Sequence, residues 1–175
     1  MVEGEHIRLR LAADPDTDLL IRWRNSPHIA ENFIRKEPLT REIHERWRAT
    51  EIASGRALQF IIVRKEDDTP IGSQYYMGID REKKNAEFGI YIGEPSALGH
   101  GYGYEAAELA IGYAFRELGL KEIRLRVREE NRRAISMYEK LGFTVQPEIP
   151  VLEAEGGIRV LFMKKTCENP LQLKI

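Results

Sequence analysis

The chain has 175 residues, 42% of them hydrophobic and 31% charged, with a formal net charge of -1. That length supports one domain with a real core, and that charge balance gives no global case for nucleic-acid binding. No apolar run approaches the roughly 20 residues that span a bilayer, Met1-Val2-Glu3-Gly4-Glu5 lacks the regions of a signal peptide, and the single Cys167 excludes an internal disulfide framework, so the expected compartment is the cytoplasm.

His6 to Leu11 alternates and reads as a first strand. Asp14-Pro15-Asp16 starts a helix whose apolar face is Leu19, Leu20 and Trp23, and Asn25-Ser26-Pro27 breaks it. Thr40 is an N-cap for a second helix, with Ile43, Trp47 and Ile52 on the side expected to be buried. Leu58 to Val63 is almost wholly apolar, as a buried strand is. After the turn at Asp67-Asp68-Thr69-Pro70, Ile71 to Ile79 reads as the next strand. Ala86 to Gly93 follows, with Phe88, Ile90 and Ile92 on one face and Glu87, Gly89 and Tyr91 on the other. Glycines at 89 and 93 suggest a bulge or a close backbone approach. A helix from about Gly103 to Leu118 carries Ala107, Ile111 and Ala114 on one side. Ile123, Leu125 and Val127 alternate with Arg124, Arg126 and Arg128 in a further strand. A helix from about Arg132 to Leu141 stops at Gly142. A closing hairpin is expected over about 143–165, turned at Glu155-Gly156-Gly157. The order predicts a single-domain mixed α/β (α+β) fold.

The stretch Leu98-Gly99-His100-Gly101-Tyr102-Gly103-Tyr104 opens one of these helices. Glycines let backbone approach a ligand, and the helix start aims free N–H groups and a positive dipole end at it. That is a seat for an anion such as phosphate. The dinucleotide fingerprint fails, because Tyr104 stands where the third glycine belongs. The P-loop pattern fails too, since no Gly-Lys-Ser/Thr follows. Taken alone, the loop is equally a tight turn before a helix. The next helix adds Asn131 and Tyr138, seven residues apart and hence nearly on one face, roughly 10 Å apart along the axis. An amide and a phenol so spaced can touch one elongated ligand.

With these motifs the chain resembles the GCN5-related N-acetyltransferase (GNAT) superfamily. Gly99-His100-Gly101-Tyr102-Gly103 with Glu105-Ala106 is similar to its pyrophosphate loop for acetyl-CoA, and Asn131 to Phe143 to its second cofactor motif. Ala86 to Ile92 looks like the strand before that loop. Leu98 departs from the family's usual Gln or Arg, and His100 from its Lys or Arg. The general shape looks like the branch of ribosomal-protein N-terminal and spermidine acetyltransferases. Trp23-Arg24-Asn25-Ser26-Pro27 is similar to members that act on nucleotide-linked amino sugars.

The resemblance implies a mostly antiparallel sheet of about seven strands with four helices, acceptor-side helices over about 14–54 and an acetyl-CoA core over about 86–143. It implies acetyl-CoA as the donor cosubstrate, no metal, no nucleic acid or membrane partner, and a homodimer as a common assembly. It also implies direct attack of a primary amine on the thioester, with acceptors ranging from a protein N-terminus to an amino sugar. Glu87 is the candidate base and Tyr138 the candidate acid for the thiolate, alongside a cofactor-contacting role. Ile90, Tyr91 and Ile92 would offer backbone N–H groups, Leu98 to Tyr104 the phosphate seat and Asn131 a positioning amide. Trp23, Asn25 and Phe33 are candidate acceptor-site residues. Each has a structural alternative: an ion pair for Glu87, ring packing for Tyr138, a helix cap for Asn131, an exposed loop position for His100, core packing for Trp23 and Phe33. Residues 22–48 hold seven Lys/Arg against four Glu, which suits a phosphate-bearing acceptor better than a polyamine, although solvated helix faces explain it as well. The competing class is a non-catalytic module that binds acyl-CoA, for which Leu98 speaks.

Overall fold

The computed structural model describes residues 1–147, 152–154 and 157–167. Its strands are β1 (Val2–Glu3), β2 (Ile7–Leu11), β3 (Leu58–Arg64), β4 (Pro70–Asp80), β5 (Asn85–Ile92), β6 (Glu122–Arg128), β7 (Thr144–Val145), β8 (Leu152–Ala154) and β9 (Ile158–Thr166). The helices are α1 (Thr17–Asn25), α2 (Pro27–Ala30), α3 (Arg41–Trp47), α4 (Tyr102–Arg116) and α5 (Arg132–Lys140). One sheet runs β1-β2-β3-β4-β5-β6-β9-β7, and β8 also pairs with β9. All pairings are antiparallel except β5 with β6.

The near-continuous apolar run of β3 has a simple cause: helices cover both faces of the sheet, so both faces of the strand are buried. Phe60 and Ile62 join the core beneath α4, with Ile7, Leu9, Tyr76, Phe88, Ile123 and Leu125. Ile61 and Val63 point the other way, against Leu20 and Trp23 of α1. Each such side chain contributes about 1.5–3 kcal/mol on burial. The α4 face is built from Ala106, Ala107, Ala110 and Ala114, all fully buried. Their small size lets the helix sit close enough for the Tyr76 hydroxyl to donate to the Ala110 carbonyl at 2.5 Å.

The architecture is the mixed, mostly antiparallel single domain expected, with nine strands and five α-helices among the described residues in place of about seven and four. The extra pieces are short. β1 adds two residues against β2, and the chain resumes helix for one turn at Pro27, which fits a first helical position. The first arm of the expected closing hairpin divides into β7 and β8, both on β9; Glu155 and Gly156 of its turn lie outside the described residues. Thr40 does cap α3, accepting from the Ile43 N–H at 3.2 Å. The buried side of α3 differs from the expectation. Ile43 is 46% exposed and His44 is 3% exposed. The helix docks one position out of phase with its apolar residues, and His44 packs beside Trp47, ring centroids 6.0 Å apart. Among the described residues no helix is long and apolar enough to cross a membrane.

Candidate active site

The parallel pairing of β5 with β6 covers only Asn85, Ala86 and Glu87, opposite Glu122, Ile123 and Arg124. Beyond that point β5 stays paired with β4 through Ile92, and β6 stays paired with β9 through Arg128. The two strands part, and β5 from Phe88 to Ile92 has no ladder partner on the β6 side. The Phe88, Tyr138 and Phe143 rings cluster where the pairing ends, with centroids 5.6–6.4 Å apart. A free strand edge of this kind accepts an extended polar chain.

The glycine loop stands just past β5. Gly99 and Gly101 have φ of 84° and 82°, the left-handed region where a side chain costs about 1–2 kcal/mol. A Cβ on either would meet no atom within 4 Å, so backbone conformation and not crowding requires glycine. Gly101 is the N-cap of α4 and supplies no side-chain cap. Its carbonyl takes the Tyr104 and Glu105 N–H groups. Among the described residues, the N–H groups of Gly99, His100, Gly101, Tyr102 and Gly103 have no acceptor. Five free donors at a helix start form an anion seat. Glu105 in the first turn would oppose an anion, yet its carboxylate is engaged elsewhere, accepting from the His6 and Ile7 N–H groups at 2.9 and 3.3 Å. His100 stacks on Tyr102 at 5.5 Å, and Leu98 and Tyr104 are each 38% exposed. None of the three is a lysine or an arginine.

Tyr138 is 7% exposed. Its hydroxyl makes no hydrogen bond among the described residues, and burial, with the Tyr75 phenol adding to it, pushes its pKa above the ordinary tyrosine value. It therefore holds its proton at neutral pH. Asn131 caps α5, its Oδ1 accepting from the Ala134 N–H at 3.1 Å, which leaves the Nδ2 donors for a ligand. Glu87 receives both Nε and Nη2 of Arg126 on one oxygen, at 2.9 and 2.8 Å. The ion-pair alternative for Glu87 is thus real, and Oε2 stays without a partner among the described residues.

Tyr75 was not singled out by sequence reasoning. It lies on β4 opposite Gly89, and its ring covers that glycine so closely that a Cβ there would come within 2.2 Å of it. Burial raises its pKa to about 12, with Glu87 adding to the rise. The only sequence trace of this contact is the glycine inside β5. Gly93 tells the same story for Trp23, whose indole would overlap a Cβ there.

On the acceptor side, Trp23 is 2% exposed and donates from Nε1 to Glu94 at 2.7 Å. It is a core residue whose edge supports Tyr91, 6.5 Å away. The Asn25 amide is occupied on both atoms by the Leu39 backbone, at 2.9 and 2.7 Å, and so ties down the loop before α3. Phe33 is half-buried, edge-on to Tyr91 at 5.9 Å. The Arg24 guanidinium lies 3.6 Å over its ring. Among the described residues, no cluster of three or more His, Cys, Asp or Glu forms a metal site.

A family model described as an acetyltransferase (GNAT) domain matches residues 6–144. An uncharacterized protein of Methanocaldococcus jannaschii is 33% identical over 144 residues, and the match covers 81% of this chain and 28% of that much longer protein. The spermidine N(1)-acetyltransferase of Escherichia coli is 31% identical over 149 residues, 85% of this chain and 73% of that protein. Among solved structures, spermidine N-acetyltransferase from Vibrio cholerae in complex with CoA and spermine gives a TM-score of 0.85. That match covers 97% of this chain and 100% of the other at 24% identity, a likeness of fold.

Proposed function

The chain belongs to the acetyltransferase (GNAT) family, and from that premise we propose that it transfers an acetyl group from acetyl-CoA to a primary amine by direct attack. One observation carries the reading: five unengaged N–H groups at Gly99 to Gly103 lie beside an unpaired strand edge. The first suits a pyrophosphate and the second an amide-bearing pantetheine arm. Bound acetyl-CoA supplies a thioester carbonyl and a thiol leaving group.

The residues of the chain then have distinct tasks. The backbone from Ile90 to Ile92 holds the arm and offers N–H donors to a carbonyl oxygen. Asn131 contributes the Nδ2 donors that its capping role leaves free. Tyr138 keeps its proton because it is buried, and its unpartnered hydroxyl donates to the departing sulfur. An alkylamine with a pKa of about 10.4 is neutral at pH 7 in roughly one molecule in 2500, a handicap of about 4.6 kcal/mol. Glu87 meets that handicap by taking the amine proton on Oε2, through water where the reach requires it, while Arg126 fixes the carboxylate in place.

The acceptor is a small-molecule amine on this reading, with a nucleotide-linked amino sugar as the finer candidate; a protein N-terminus is the alternative to a small molecule. Titration of CoA against pantetheine tests the donor site. Pantetheine lacks the pyrophosphate, so it should bind at least about 100-fold more weakly, the scale of a few charge-assisted hydrogen bonds. Equal affinities would remove Gly99 to Gly103 from donor binding.

A further inference from the structure

The excess of seven Lys/Arg over four Glu in residues 22–48 is sorted by the structure into two groups. Arg22, Arg41, Arg46 and Arg48 are paired with Glu94, Asp18 and Glu45, Glu42, and Asp14. Arg24, Arg35 and Lys36 have no carboxylate within ion-pair distance among the described residues. Arg24, in the last turn of α1, meets the stretch before α3 that carries Arg35 and Lys36. Arg24 donates to the Arg35 carbonyl at 2.7 Å, and Lys36 to the Ala30 and Glu31 carbonyls at 3.2 and 3.1 Å.

Arg24 differs from the other two. Arg35 and Lys36 are exposed, while Arg24 is half-buried, stacked on Phe33. Among the described residues its one hydrogen bond leaves the remaining N–H groups of the guanidinium fork free. Glu31 and Glu37 on the same stretch are exposed and make no ion pair among the described residues. Burial disfavours the charge on Arg24, and Glu37 and the neighbouring phenols offset this only in part. A partly desolvated guanidinium with free donors gains when an oxyanion completes its shell. From Arg24 an aromatic wall runs through Phe33 to Tyr91, and Tyr75 covers Gly89, two residues back along β5, beside the point where β5 and β6 part.

We propose that this chain selects an amine acceptor that carries its own oxyanion, held by Arg24 and the Phe33–Tyr91 wall while the amine reaches Glu87. The proposal rests on the acetyltransferase reading of the same site. It sets this chain apart from its relatives named for spermidine: a polycation would meet Arg24, Arg35 and Lys36 as like charges.

The test compares kcat/KM for 2-aminoethyl phosphate, β-alanine, ethanolamine and spermidine, with calorimetric titration of CoA alongside. The phosphate and carboxylate arms separate the two sources of oxyanion. The expected result is a preference for either anionic amine over ethanolamine and spermidine of about tenfold or more, the scale of one charge-assisted contact. In R24Q the ratio of 2-aminoethyl phosphate to ethanolamine should fall about tenfold, with R24K intermediate and R24M no better than R24Q. Spermidine as the best acceptor, or an R24Q variant with the wild-type ratio, overturns the proposal. Loss of CoA binding would instead count against the acetyltransferase reading. If none of the four amines is turned over, titration of uridine diphosphate into CoA-saturated protein decides. Saturable binding weakened at least fivefold in R24Q supports the subsite; no binding, or binding equal in both proteins, overturns it.

Discussion

On the proposed mechanism Tyr138 and Glu87 have opposite protonic tasks, and their surroundings differ: Tyr138 is buried among aromatic rings and Glu87 is paired with Arg126. Tyr138 is enclosed by Phe88 and Phe143 and keeps its proton well above neutral pH. Y138F should lower kcat by about 100-fold, the low end of general acid catalysis, with CoA affinity within about twofold. A variant with wild-type kcat would remove Tyr138 as the proton donor. Because burial raises its pKa, Tyr138 should impose no loss of kcat between pH 7 and pH 9; a falling limb in that window that vanishes in Y138F would contradict the assignment. Both residues became candidates through the family resemblance, which strand alternation and motif spacing only located in the chain. Tyr75 was not legible, because its place over Gly89 depends on the β4–β5 register, a pairing across a turn that composition does not encode. Arg24 stood in the quoted segment Trp23 to Pro27 without a role of its own, and only the contacts show that Trp23 and Asn25 are spent on Glu94 and Leu39 while Arg24 keeps free donors.

At the scale of elements, the proposed donor site is a loop and a strand edge. Gly101 needs its φ of 82° to turn the chain into α4. G101V should weaken CoA binding by about tenfold or more, through the cost of a branched residue in the left-handed region. Affinity equal to wild type would show that the loop does not hold the donor. α3 offers a separate test, because its helix and cap were readable from Thr40 onward while its phase was not. His44 is buried, and burial, with Arg48 and Arg41 against Glu45, holds its pKa below the ordinary value of 6.5. The unfolded chain then binds a proton that the folded protein resists. The stability due to neutral His44 is full above pH 6.5 and is lost as pH falls toward the folded pKa. Melting temperature should therefore drop between pH 7 and pH 5, and less steeply in H44Q. Parallel curves for the two proteins would mean that His44 is not the group that titrates. Helix phase was illegible because a single histidine beside an isoleucine inverts the apolar pattern, and only packing against α1 decides between them.

At the scale of the whole molecule, the order of strands and helices was readable because alternation and glycine punctuation are local signals. The short strands β1 and β7 carry two residues each and no period, so they exist only by pairing with longer neighbours. The decisive feature, the parting of β5 from β6, is likewise a property of the assembled sheet. On the proposed function it divides a donor side, with the glycine loop at the head of α4, from an acceptor side, under α1 and the loop to α3. A catalyst needs both sides joined through the gap, whereas a module that only binds acyl-CoA needs the donor side alone. The measurement that separates them most directly is release of free CoA thiol from acetyl-CoA, with and without a panel of primary amines. Thiol release that depends on an amine and yields the acetylated amine one for one is the predicted result. Tight CoA binding with no amine-dependent release from any member of the panel would contradict it.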